Sequence, residues 1–136
     1  LTLSVADWRA AKPKSEKLKK TAGSEPPAIK LAENADILKT IGQRTKDRPE
    51  LVIGFAAETE TVIANAQKKL KSKSCDWIIA NDVSPETGVM GGDRNTVHII
   101  TREGVESWPQ LLKSDIADRL MERIATRIAR KPAAAE

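Results

Sequence analysis

Residues 51–82 read LVIGFAAETETVIANAQKKLKSKSCDWIIAND. The apolar run from Leu51 to Ala57, preceded by a turn at Arg48-Pro49-Glu50, has the continuous hydrophobic character of a strand buried on both faces. Thr59 then stands where a helix cap is expected, and Val62, Ile63, Ala66 and Leu70 follow at helical spacing. The stretch CDWIIAND, residues 75–82, is a second short buried strand. Strand, helix and strand in this order form a crossover unit, whose two strands lie parallel. The stretch therefore predicts an α/β fold.

Outward from this unit, the pattern holds. LTLSVADW, residues 1–8, alternates and reads as a strand ending near Asp7. Residues 10–27 are rich in Lys, Ala and Pro and read as a mobile flap, followed by a short strand at 28–31. Asn34 is placed to cap a helix over about 35–46 with Ile37, Leu38 and Ile41 inward. Beyond Asp82, SPETGVMGGDRN is loop and TVHIITREG is a strand with a glycine-bearing turn. Ser114 is expected to cap a last helix with Ile116, Leu120, Ile124 and Ile128 inward, and residues 132–136 are expected to be a disordered tail. The whole predicts a three-layer, Rossmann-like, mostly parallel sheet with an extended flap at about 10–31. Ligands of such sheets bind at the carboxyl ends of the strands, here near Asp7, Phe55 and Asn81-Asp82.

The residues set limits on function. With 136 residues the chain suits one domain with a hydrophobic core, and 40% apolar against 31% charged residues is a globular balance. No apolar run approaches the roughly 20 residues of a membrane span, and no basic-then-apolar leader opens the chain. One cysteine, Cys75, excludes an internal disulfide framework and fits a reducing cytoplasm; with a single histidine, His98, it also argues against structural zinc. Cys75 and His98 are read as packing residues, as are Trp8 and Trp77. Walker and G-x-G-x-x-G loops are absent, and Gly88, Gly91 and Gly92 read as turn residues.

The charge is more informative. The formal net charge is +4, and the lysines gather in two knots, one at Lys12, Lys14, Lys17, Lys19 and Lys20 and one at Lys68, Lys69, Lys71 and Lys73. Like charges three or four apart on a helix cost roughly 0.2–0.5 kcal/mol per pair. Two readings compete: solvated faces, or compact sites for a small polyanion. Lys69 and Lys73, four apart, share a helical face and could grip a polyphosphate as two point charges. Lys17 in the flap could swing over a bound ligand. Three Trp, one Phe and no Tyr leave too few stacking platforms for a nucleic-acid binder.

Several segments in order resemble phosphopantothenoylcysteine synthetase, the second half of the bifunctional bacterial protein that builds coenzyme A. They are SVADWRA, EKLKK, ENADIL, LVIGFAAETE, AQKKLKSKSCDWIIANDVS and GGDRNTVHIITREG, spanning residues 4–104, with the last helix also similar. The resemblance implies a CTP-dependent ligase acting in the cytoplasm. The carboxylate of 4′-phosphopantothenate would attack the α-phosphorus of CTP to give an acyl-cytidylate and pyrophosphate, and the amine of cysteine would then displace CMP. It implies a Mg2+ ion with the triphosphate, with Asp7 as its carboxylate or as a nucleotide contact. It also implies Lys17 as the flap lysine that supports acyl-cytidylate formation. Ala35, Asp36, Ile37 and Leu38 would contact the cytidine end, Phe55 would lie beside the nucleotide, and Lys69 and Lys73 would hold CTP. The turn reads NADI where the family commonly has Asn-Pro-Asp-Ile, and Ala35 can offer its carbonyl as Pro does.

The family's ligase domain is expected to begin roughly 80–90 residues upstream of Leu1, a length within ordinary domain size. The segment 1–131 is thus expected to be the C-terminal part of the ligase domain and inactive alone. Neither FMN, nor nucleic acid, nor a membrane is expected as a partner, and family members imply a homodimer. The alternative from another class is a non-catalytic interaction or regulatory module on a nucleotide-binding fold.

Overall fold

In the computed structural model the described residues are 6–12, 28–84 and 92–129. They divide into two compact units, 1–37 and 38–136.

The first unit contains an antiparallel ribbon of β1 (Trp8–Ala10) and β2 (Leu31–Glu33), with Trp8 opposite Glu33 and Ala10 opposite Leu31. The amide of Ala11 extends the pairing by donating to Lys30 O at 2.9 Å. A strand was expected to end near Asp7, but among the described residues it begins just after it, at Trp8, with residues 1–5 outside the described residues; the strand expected at 28–31 lies slightly later. Asn34 does not cap the following helix as expected. Its Nδ2 donates to Ala6 O at 2.6 Å and its backbone amide to Asp7 O at 2.8 Å, closing the base of the ribbon. Trp8 is 54% exposed, against the expectation that it packs. Directly opposed residues share a face, so Trp8, Ala10 and Leu31 share one face of the ribbon.

The second unit is built on a four-stranded sheet in the order β3 (Ile53–Glu58), β4 (Trp77–Asp82), β6 (Val97–Ile100), β7 (Val105–Ser107). The antiparallel pair β5 (Arg94–Asn95) and β8 (Leu111–Leu112), whose strands flank β6 and β7 in the chain, forms a separate two-stranded sheet. The expected crossover is present, with α2 (Val62–Lys73) joining the parallel strands β3 and β4. β4–β6 and β6–β7 are antiparallel, so the sheet is mixed. The short turn at 101–104 permits only an antiparallel return, because a parallel one needs a long crossover.

Period-two alternation sorts the core into two layers. On one face Val52, Ala56, Ile78, Ala80 and Ile100 pack against Ala66 and Leu70 of α2 and against Leu38 and Ile41 of α1 (Ile37–Gly42). On the other, Trp77, Ile79, Val97 and Ile99 pack against Trp108 and against Ile116, Leu120 and Ile124 of α3 (Lys113–Ala129). The three-layer α/β expectation holds for this unit. Cys75 is buried, as read from the sequence.

Several boundaries differ from expectation. α1 has six residues rather than about twelve, and Ile37 is exposed. α2 begins after Thr61, not Thr59, and Thr61 makes no side-chain capping bond. α3 begins at Lys113, whose amide donates to Asp93 O at 2.8 Å, so Ser114 lies inside the helix; Ile128 is exposed. β3 was expected to be buried on both faces, yet Phe55 is 64% exposed. Among the described residues β3 is an edge strand, and Leu51 and Ile53 rather than Phe55 join the layer that contains the α3 residues.

Arg48 and Asp76 complete the scaffold. Arg48 donates to Gly42 O at 3.0 Å and Ser74 O at 3.1 Å, and pairs with Asp76 Oδ2 at 2.9 Å. A guanidinium thus serves the carboxyl ends of α1 and α2 together, where a helix favours positive charge. Asp76 Oδ2 also accepts the amide of Val52 at 2.8 Å, tying the start of β4 to the approach of β3.

Candidate functional site

The parallel pairing of β3 with β4 brings Ala57 opposite Asn81 and Glu58 opposite Asp82, so two carboxylates and an amide gather at the carboxyl ends of adjacent strands. The register is held past the strand ends by Val83 N donating to Glu58 O at 2.9 Å. Asp82 Oδ1 accepts the amide of buried Ser84 at 2.8 Å. That bond, supported by the Ser84 side chain, holds the Asp82 carboxyl below the usual carboxylate range.

Glu58 lies on the same face of the sheet as Ala56, towards α2. Its Oε2 accepts from Asn65 Nδ2 at 3.4 Å, and its Oε1 is 2.6 Å from Lys69 Nζ. Asn65 Nδ2 also donates to Glu60 O at 3.0 Å, which binds the β3–α2 turn to the first turn of the helix. Long helical side chains lean towards the helix amino end, and that lean carries Lys69 back along α2 to the strand ends.

The predicted residues fall as follows. Lys17 lies outside the described residues, together with Lys14, Lys19, Lys20, Gly88, Gly91 and the tail. Asp7 is exposed at the foot of the ribbon, with its main-chain oxygen engaged by Asn34. Ala35, Asp36, Ile37 and Leu38 lead into and open α1; Leu38 points into the core, so its contribution to a site is its backbone. Phe55 is exposed on β3 but on the sheet face opposite Glu58 and α2. Lys69 and Lys73 are both half-buried on α2, whereas Lys68 and Lys71 are exposed. Within the second unit, then, Lys69 stands at the carboxyl ends of the strands, Lys73 is one turn further from them, and Phe55 lies on the far side of the same edge strand.

Glu58 was not singled out from the sequence. Its signal was positional, a carboxylate ending a strand and facing a lysine-rich helix. Two cavities, of about 430 and 590 Å3, lie elsewhere. The first is lined by Trp108, Arg119 and Arg123 among others, the second by Leu70, Lys71 and Arg102 among others, and neither includes a predicted residue. Among the described residues no group of three metal-ligating side chains is close enough to hold an ion unaided. No described helix is long and apolar enough to cross a membrane.

A three-layer α/β unit with polar groups at the ends of its parallel strand pair is a class with many functions, and relatives narrow it. Residues 1–128 match the family described as DNA/pantothenate metabolism flavoprotein C-terminal domain, and the chain belongs to that family. It is 38% identical over 130 residues to the coenzyme A biosynthesis bifunctional protein CoaBC of Escherichia coli strain K12, covering 94% of this chain and 32% of that protein. The Bacillus subtilis protein of the same name is 34% identical over 125 residues, 91% of this chain and 30% of that one. This chain therefore spans about a third of the curated relatives it matches. Among solved structures, the C-terminal domain of a CoaBC protein matches with a TM-score of 0.60 at 36% identity, over 76% of this chain and 46% of that chain. A Streptococcus pneumoniae protein named DNA/pantothenate metabolism flavoprotein shares the fold, with a TM-score of 0.56 at 22% identity over 74% and 43% of the two chains. The resemblance read from the sequence, to the C-terminal half of a coenzyme A biosynthesis protein, is borne out.

Proposed function

We propose that this chain is the C-terminal part of a CTP-dependent phosphopantothenate–cysteine ligase in coenzyme A biosynthesis. The observation that carries the reading is its homology along 94% of its length to a coenzyme A biosynthesis protein. Two features of the second unit support it. Phe55 leaves an aromatic surface exposed on β3, an edge strand among the described residues, available for a nucleotide to cover. Lys69 holds an ammonium at the strand ends.

In this reading Lys69 and Lys73 meet the phosphates of CTP, Phe55 lies beside the nucleoside, and Ala35, Asp36, Ile37 and Leu38 receive the cytidine end. A carboxylate approaching a triphosphate is anion meeting anion, and cations at the site lower that barrier. Lys17 supports formation of the acyl-cytidylate from 4′-phosphopantothenate, and cysteine then displaces CMP. A magnesium ion bound mainly by phosphate oxygens and water needs at most one or two protein carboxylates. The exposed Asp7 fits that demand, and the ion would add Lewis-acid neutralisation of phosphate charge.

A homodimer is part of the proposal. Two-stranded ribbons are marginal alone, and the exposed Trp8 and Leu31 on one ribbon face give a second copy something to cover. Flavin chemistry is assigned to parts of such polypeptides outside this chain, the ligase reaction needs the upstream part of its domain, and the cytoplasm is the proposed location.

The test is pyrophosphate release by the intact polypeptide supplied with CTP and 4′-phosphopantothenate. Lys17→Gln is expected to abolish release. Wild-type release that the substitution leaves unchanged would remove Lys17 from the reaction, and no release by the wild type would overturn the ligase reading.

A further inference from the structure

We propose that Glu58 is a positioning residue that fixes the Lys69 ammonium for phosphate binding, an inference that rests on the CTP-binding reading above. The Glu58 side chain is only 15% exposed, whereas that of Lys69 is 44% exposed. Both carboxylate oxygens face side chains of α2 spaced one turn apart, Asn65 at 3.4 Å and Lys69 at 2.6 Å. The ammonium makes an ion pair with Oε1, an oxygen that is otherwise buried and without a hydrogen-bond partner, so Lys69 is what neutralises it.

A buried carboxylate stripped of its cation is unfavourable. Lys69 therefore keeps Glu58 when an anion arrives and offers its outward donors to it, since an ammonium has three. The register partner of Glu58 is Asp82, so without Lys69 this end of the sheet would present carboxylates to a polyanion. The pair thus does two things. It neutralises Glu58, and it spares Lys69 the ordering that a free lysine undergoes on binding.

The experiment measures steady-state kinetics of the intact polypeptide for Glu58→Gln, Lys69→Gln and the double variant. Glu58→Gln keeps the shape of the side chain. It is expected to raise KM for CTP roughly threefold to tenfold, the worth of one immobilised side chain, with kcat within about twofold. In the Lys69→Gln background the same change is expected not to raise KM further and, by removing the uncompensated carboxylate, to lower it. An unchanged or lowered KM in Glu58→Gln, or an equal effect in both backgrounds, overturns the positioning role while leaving the CTP reading intact. If Lys69→Gln itself leaves KM for CTP unchanged, the Lys69 part of that reading falls and this inference with it.

A second measurement needs no substitution. Amine-reactive labelling of the native protein, mapped by mass spectrometry, is expected to modify Lys69 more slowly than the exposed Lys68 and Lys71. Equal labelling rates overturn the proposal.

Discussion

A β-carbon on Gly42 would overlap the main-chain oxygen of Lys73 and stand 2.9 Å from that of Ser74, so the carboxyl ends of α1 and α2 meet backbone to backbone. The contact leaves no flexible side chain to yield. Gly42→Ala is expected to destabilise the protein by about 2–3 kcal/mol, the upper range for overpacking, despite the better helix propensity of alanine. Urea denaturation measures it, and a neutral or stabilising result would mean that the two helix ends can separate.

Arg48 lies at the same junction and pairs with Asp76 at 2.9 Å, with both side chains less than a quarter exposed. Arg48→Met would strand Asp76 and free two helix-end carbonyls. A loss of about 3 kcal/mol is expected, near the lower bound for breaking a buried pair. Thermal unfolding of Arg48→Met, Asp76→Asn and the double variant checks this, because coupling between the two changes should be large and of one sign.

Glu106 accepts from Trp108 Nε1 at 2.8 Å and pairs with Arg123. The Trp108 bond first, then the Arg123 contact, hold its carboxyl below the usual carboxylate range. A depressed folded-state value means stability present above the unfolded value and lost as pH falls through the folded one. Acidification below about pH 4.5 should therefore weaken wild type more than Glu106→Gln. The difference should be small and salt-sensitive, since the carboxylate is 48% exposed. Tryptophan fluorescence during denaturation at pH 3 to 7 reads it.

Phe55 separates stability from function. At 64% exposure its truncation removes little packing, so Phe55→Ala should leave unfolding within about 0.5 kcal/mol of wild type. Under the proposed reading the same variant should bind CTP several-fold more weakly. Isothermal titration of the intact polypeptide gives the answer, and unchanged CTP affinity would take Phe55 out of the site.

Cys75 is buried, and burial raises its thiol pKa. Its reaction with a thiol-specific reagent at neutral pH should be slow in the native protein and complete at once in denaturant. Fast native labelling would contradict the packing of the layer between α2 and β4.

The crossover from β3 through α2 to β4 was legible because its parts are periodic: Ala66 and Leu70 on a helix, Ile78 and Ala80 on a strand. What followed depended on partners absent from any local pattern. Phe55 belongs to an apolar run, and only the strand order among the described residues makes its strand an edge strand. Asn34 has the composition of a cap, yet Ala6 and Asp7 claim it through long-range bonds. The lysine knot could be counted but not resolved, because Glu58, which answers Lys69, comes eleven positions earlier on another element. Of the predicted site, Lys17 lies outside the described residues, Lys69 and Lys73 were legible from helical spacing and Asp7 and Phe55 from strand ends, and Ala35, Asp36, Ile37 and Leu38 were named from family resemblance.

Thr61 and Ser74, which bracket α2, both adopt left-handed backbone angles, with φ of 44° and 54°. Each non-glycine residue in that region carries roughly 1–2 kcal/mol of torsional strain. The lysine-bearing helix is therefore clamped between two sprung joints, and exchanging either for glycine would relax its frame without touching a single charge along its length.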